Sequence, residues 1–165
     1  MLNMISTTLQ RLRTIADKIA FMGPTLARIT VGVVFMQTGW GKLHSLPDVT
    51  EFFVSLHIPA PAFQARLAAG TEFFGGLLVL FGLGTRLAAL PLGFTMMVAI
   101  ATAKRADLTG VSALLGFEEW SYLVFFIWIA LAGAGPLSLD ALAKRLLARQ
   151  PSAGALPKPL LRPQG

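Results

Sequence analysis

The chain has 165 residues, of which 55 % are hydrophobic and 13 % charged, and a formal net charge of +6. With a mean hydropathy of +0.67 it lies outside the range of soluble domains and reads as a protein solvated by a bilayer, so the basic excess bears on topology and not on nucleic acid. It has no cysteine, which excludes disulfides, thiol redox catalysis, iron–sulfur clusters and thiolate zinc sites.

Residues 1–20 are predicted to form an amphipathic helix lying on the membrane. In ISTTLQRLRTIADKI the apolar Ile5, Leu9, Leu12, Ala16 and Ile19 recur at helical spacing, with Arg11, Thr14 and Lys18 on the other face. The transmembrane domain is predicted over 21–139. It contains four stretches near the roughly 20 apolar residues that cross a ~30 Å hydrocarbon core as a helix: about 24–43, 62–83, 85–103 and 120–139. The first span carries Arg28 and offers no convincing small-residue cleavage site, so it reads as an uncleaved anchor and not as a signal peptide. The architecture expected is all-α, a four-helix transmembrane bundle with flanking interfacial helices.

Ionisable residues interrupt these spans, and two of them, Glu72 and Arg28, stand out. On the second span, Glu72 shares a helical face with Ala65, Ala68, Ala69, Gly75, Gly76 and Val79, whereas Leu67, Phe74, Leu78 and Phe81 point elsewhere. Small residues let membrane helices approach closely, so this face is predicted to meet another helix and the bulky one to meet lipid. A charge at mid-membrane costs on the order of 3 kcal/mol and therefore calls for a partner, a proton or water. Arg28 is the candidate partner, on a stripe of the first span with Gly32, Phe35, Gly39 and Lys42. The alternative for Arg28 is to snorkel to the cytoplasmic headgroups.

Gln37 and Thr38 read as interhelical hydrogen-bond partners, and Trp40, Lys42, Lys104, Arg105, Trp120 and Tyr122 as an outer interfacial belt. The loop KLHSLPDVTEFFVSLHIPAP holds His44, Asp48, Glu51 and His57, but the histidines have no established ligand spacing, so no metal site is expected. Its DVTEFFVSLHI portion reads as a short re-entrant or interfacial helix capping the bundle. Residues 140–150 repeat the basic amphipathic pattern after a Ser138 cap, and the proline-rich 151–165 tail is expected to be disordered. For topology, Arg11, Arg13, Lys18, Arg86, Lys144, Arg145, Arg149, Lys158 and Arg162 fall on one side, against Lys42, Lys104 and Arg105 on the other. This bias predicts both termini in the cytoplasm.

The run ARITVGVVFMQTGWGKL, the loop ending in IPAP, and TEFFGGLLVLFGLGTRLAALPLG resemble the DoxX family of small bacterial membrane proteins. The marks are Arg28, the G-x-G-K end of the first span, Glu72 and the G-L-G-T-R turn. The likeness covers about residues 24–137. It implies a four-helix bundle in the bacterial inner membrane and an association with quinone-linked oxidation, with a soluble redox partner or a homo-oligomer as assembly. On that implication, Gln37, Trp40, Lys42 and Trp120 become a candidate quinone or ligand pocket, and Arg28 with Glu72 a buried pair or proton site. Two function classes stay open. One is a membrane subunit or anchor of a quinone-linked oxidoreductase assembly, with no covalently bound cofactor. The other is a noncatalytic scaffold, assembly factor or small transporter subunit in which the polar pair locks helices. No flavin or dinucleotide fingerprint and no haem ligands are present for a complete electron-transfer chain.

Overall fold

The computed structural model describes residues 2–148, with side chains from residue 10 onward; the tail 151–165, and the predicted Ile5 and Leu9 face, lie outside what is described. The regular structure of the described residues is all helix, without strands. In chain order the helices are α1 (Leu2–Ile19), α2 (Met22–His44), α3 (Leu46–Ser55), α4 (Pro61–Phe81), α5 (Thr85–Ala101), α6 (Val111–Gly116), α7 (Glu118–Ala132) and α8 (Leu139–Ala148).

The most extensive packing is the antiparallel pairing of α2 with α4, followed by that of α5 with α7; α4 also packs on α5, and α3 lies against α4. The α2–α4 seam is tight because it is built from glycine. A Cβ on Gly32 would stand 2.7 Å from the Leu80 backbone, one on Gly39 would enter the Phe73 amide, and one on Gly76 would enter the Met36 amide. The two backbones therefore touch, the geometry that small residues give membrane helices.

The second pair is knitted by side chains. Ala88, Ala89, Leu92 and Met96 of α5 bury against Leu123, Phe126 and Ile129 of α7, and Val31, Phe35 and Val79 belong to the same core. Phe35 joins the pairs, meeting Tyr122 (centroids 5.2 Å apart) and Phe126 (4.8 Å) edge to face. The outward side chains are large and apolar: Leu67, Phe74, Phe81, Leu87, Phe94, Ile127 and Leu131 are all exposed.

Among the described residues one helical stretch, Gln10–His44, is long and apolar enough to cross a membrane by itself; α5 is apolar but shorter. The helix expected over 120–139 ends instead at Ala132, after 15 residues. Gly133 (φ 86°) and Gly135 (φ 77°) turn the chain into the left-handed region, and Pro136 cannot continue a helix. The capping helix in the first loop is present as α3, whereas α6 has no counterpart in the sequence expectations.

Candidate functional site

The face predicted for Glu72 is the buried one: Ala65, Ala69, Gly75, Gly76 and Val79 are buried with it, while Leu67, Phe74, Leu78 and Phe81 are exposed. Glu72 itself is 3 % exposed. Its partner is Lys42, whose Nζ donates to Oε1. The seam dictates this pairing, because Gly39 packs against the backbone at Glu72 and Phe73 and Lys42 follows one helical turn later. The Lys42 side chain is 36 % exposed, so one end of the pair is wet and the other dry. Glu72 Oε2 is buried and has no hydrogen-bond partner, leaving an acceptor free beside the ammonium.

The expected Arg28–Glu72 pair is therefore corrected. Arg28 and Gly39, which sits at Glu72, are separated by about 16 Å of helix at 1.5 Å per residue, more than either side chain bridges. Headgroup snorkelling does not describe Arg28 either. The residue is 4 % exposed and donates through Nη1 to Ala134 O (3.2 Å) and through Nη2 to Leu137 O (2.7 Å). It grips the turn that follows α7, and Gly82 is needed opposite because a Cβ there would collide with the guanidinium.

Asp140 completes this second cluster and was not singled out in the sequence. Its carboxylate accepts from the amides of Gly84 (2.8 Å) and Thr85 (3.2 Å), and its own amide donates to Gly82 O (2.9 Å). It thus caps α5 from another helix, where Gly84 supplies no side-chain cap. The signal available was that missing cap, in G-L-G-T-R. The Ser138 cap is formed: Ser138 Oγ accepts from the Ala141 amide at 3.1 Å.

The residues read as a ligand pocket diverge. Gln37 is exposed, Trp40 is exposed and meets the His44 and Phe73 rings at a tilt, Lys42 turns in to Glu72, and Trp120 packs on the core. Lys104 lies 3.8 Å from Glu119 and over the Phe117 ring. Among the described residues no three His, Asp or Glu side chains gather as a metal would require.

The family model described as DoxX matches residues 23–105, the stretch that holds Arg28, Lys42, Glu72 and the turn that Asp140 caps. Similar proteins include "Putative oxidoreductase CatD" of Bacillus subtilis (strain 168), 33 % identical over 121 residues that cover 72 % of this chain and 85 % of the relative. "Inner membrane protein YqjF" of Escherichia coli (strain K12) is 30 % identical over 129 residues, 78 % of this chain and 97 % of the relative. "Uncharacterized membrane protein Rv3486" of Mycobacterium tuberculosis (strain ATCC 25618 / H37Rv) is 36 % identical over 140 residues, 78 % and 83 %. No solved structure matches significantly. A family model spanning half of the sequence, and relatives aligned over most of their own length, establish that the chain belongs to the DoxX family of membrane proteins.

Proposed function

We propose that the chain is a four-span protein of the bacterial inner membrane, with both termini cytoplasmic, that serves as a membrane subunit or anchor of a quinone-linked oxidoreductase assembly. In this reading α2, α4, α5 and α7 are the spans, and α1 and α8 lie in the cytoplasmic interface. The observation that carries it is the buried Lys42–Glu72 pair with its unpartnered Oε2. The oxidoreductase designation in the name of CatD supports the reaction class. A quinone supplies a two-electron carrier that takes up protons as it is reduced. In this reading Lys42, at the exposed end of the pair, would hold such a group by donating to its oxygen, with the Glu72 carboxylate buried behind it. Glu72 holds or passes a proton at Oε2, Lys42 balances the carboxylate charge, and the α2–α4 seam excludes water from the dry side. Gln37 and Trp40, facing outward, belong to the bilayer interface in this scheme.

The test is binding of a quinone analogue to the protein purified in mild detergent, read by tryptophan fluorescence. Saturable quenching that weakens in Glu72→Gln is expected. Non-saturating partition equal to that into protein-free micelles would remove the quinone role. The glycine seam favours a second reading, a noncatalytic scaffold or assembly factor in which Lys42–Glu72 locks α2 to α4. That reading is selected if Glu72→Gln loses stability while no analogue binds and no redox partner copurifies.

A further inference from the structure

We propose that Lys104 and Glu119 form the second half of the candidate site, so that the two opposed oxygens of one quinone ring are held by Lys42 and Lys104. This rests on the quinone reading above. The chain repeats one plan, a long helix, a short one and a long one, in α2–α3–α4 and again in α5–α6–α7, and the two long helices of each set pack on each other. Each set also sends a lysine from the end of its first long helix to a glutamate on its second: Lys42 to Glu72, and Lys104, just past α5, to Glu119 at the start of α7. The two pairs are alike in detail. The lysine side chains are 36 % and 37 % exposed and the glutamates 3 % and 23 %, and each carboxylate keeps a buried Oε2 without a partner among the described residues.

The aromatic layer beneath them puts both pairs at one depth. Phe35 of α2 meets Tyr122 and Phe126 of α7 edge to face. Lys42 lies two turns beyond Phe35 on the same face of α2, and Glu119 two turns before Phe126 on the same face of α7. Because these helices run antiparallel, both steps are about 10 Å in the same direction. Glu72 points into the same space from α4, since it falls on the helical wheel between Gly75, which packs on Leu92 of α5, and Gly76, which packs on Met36 of α2. Lys104 Nζ ends 3.8 Å from Glu119 and 5.8 Å from the centre of the Phe117 ring. The four charges thus alternate in sign around one end of the bundle, above a floor of Phe35 and Tyr122.

That arrangement selects a ligand by its acceptors and not by charge. An ammonium carries three donors. Lys42 commits one to Glu72, and the Lys104–Glu119 contact is longer than a hydrogen bond, so both lysines keep donors at their exposed ends. Each is balanced by its own glutamate, which leaves the cluster without net charge to attract an anion. A neutral ring with two opposed carbonyl oxygens matches donors on two sides of one opening.

The experiment titrates the full-length protein, in mild detergent, with a short-chain benzoquinone and with a cyclohexenone of the same chain, which has a single carbonyl, and reads both by calorimetry. Lys104→Gln should weaken the benzoquinone about tenfold, as loss of one charge-assisted hydrogen bond does. It should leave the cyclohexenone unchanged, because that ligand needs one ammonium only, and this unchanged binding reports that the fold is intact. Benzoquinone binding that ignores Lys104→Gln, equal loss of both ligands, or displacement of the benzoquinone by inorganic phosphate would each overturn the proposal while the quinone reading stands. Absence of saturable benzoquinone binding to the wild type would overturn that reading and this one with it.

Discussion

At the scale of single residues, the two buried charges of this chain use different solutions to the same problem. Glu72 meets an ammonium, while Arg28 meets two carbonyls of a glycine-rich turn. Both remove a charge from hydrocarbon, but only the first couples two titratable side chains. Lys42→Gln leaves a buried carboxylate without its partner and should cost about 1–3 kcal/mol. Glu72→Gln should destabilise less, because the half-exposed lysine can turn to water. The double substitution Lys42→Gln with Glu72→Gln should cost less than the sum of the singles, measured by unfolding in mixed micelles. Arg28→Gln with Glu72→Gln should be additive, since those residues lie at opposite ends of the seam. Coupling in the second cycle and not in the first would restore the Arg28–Glu72 pair and refute the observed one.

At the scale of helices, termini carry as much of the argument as faces. The α4–α5 turn is closed by a Schellman arrangement, with the Leu83 amide on Leu78 O (2.9 Å) and the Gly82 amide on Val79 O (3.1 Å). Gly84 then starts α5 without a capping side chain, and α8 supplies one across the fold. Asp140→Ala should therefore cost about 0.5–2 kcal/mol, the range for losing an N-cap. It should also raise hydrogen exchange at Gly84 and Thr85 and through α8, with little change in the α2–α4 seam. Unchanged exchange at those amides would mean that water replaces the carboxylate without loss. The helix faces themselves need no such partner: the glycines of α2 and α4 bring backbones together, whereas Leu92, Phe126 and Ile129 fill the space between α5 and α7.

At the scale of the whole molecule, the alternation of helix directions places the Arg28–Asp140 cluster and the Lys42–Glu72 pair at opposite ends. On the proposed topology the first end faces the cytoplasm. A reporter fused after Gly165 is expected to behave as cytoplasmic and one inserted between Asp107 and Ser112 as periplasmic. The reverse pattern would invert the orientation and move the Lys42 side of the pair from the periplasmic to the cytoplasmic face.

The sequence by itself determined the solvent, the helical class, the extent of the first three long helices to within a few residues, and the packed faces of the first two. These follow from local composition and from a 3.6-residue period, which require no knowledge of neighbours. That Glu72 lies on a small-residue face and Arg28 on a glycine stripe with Lys42 was legible for the same reason. Which charge meets which was decided only by the tertiary structure. Register between two antiparallel helices is set by where their backbones can touch, here Gly39 at Phe73 and Gly32 at Leu80, and that register puts Lys42 within reach of Glu72 and leaves Arg28 about 16 Å away along the seam. Asp140 as the cap of α5 was likewise fixed by contacts between segments distant in sequence. A periodicity has no means of expressing them, because the amides that Asp140 satisfies belong to a helix some fifty residues earlier.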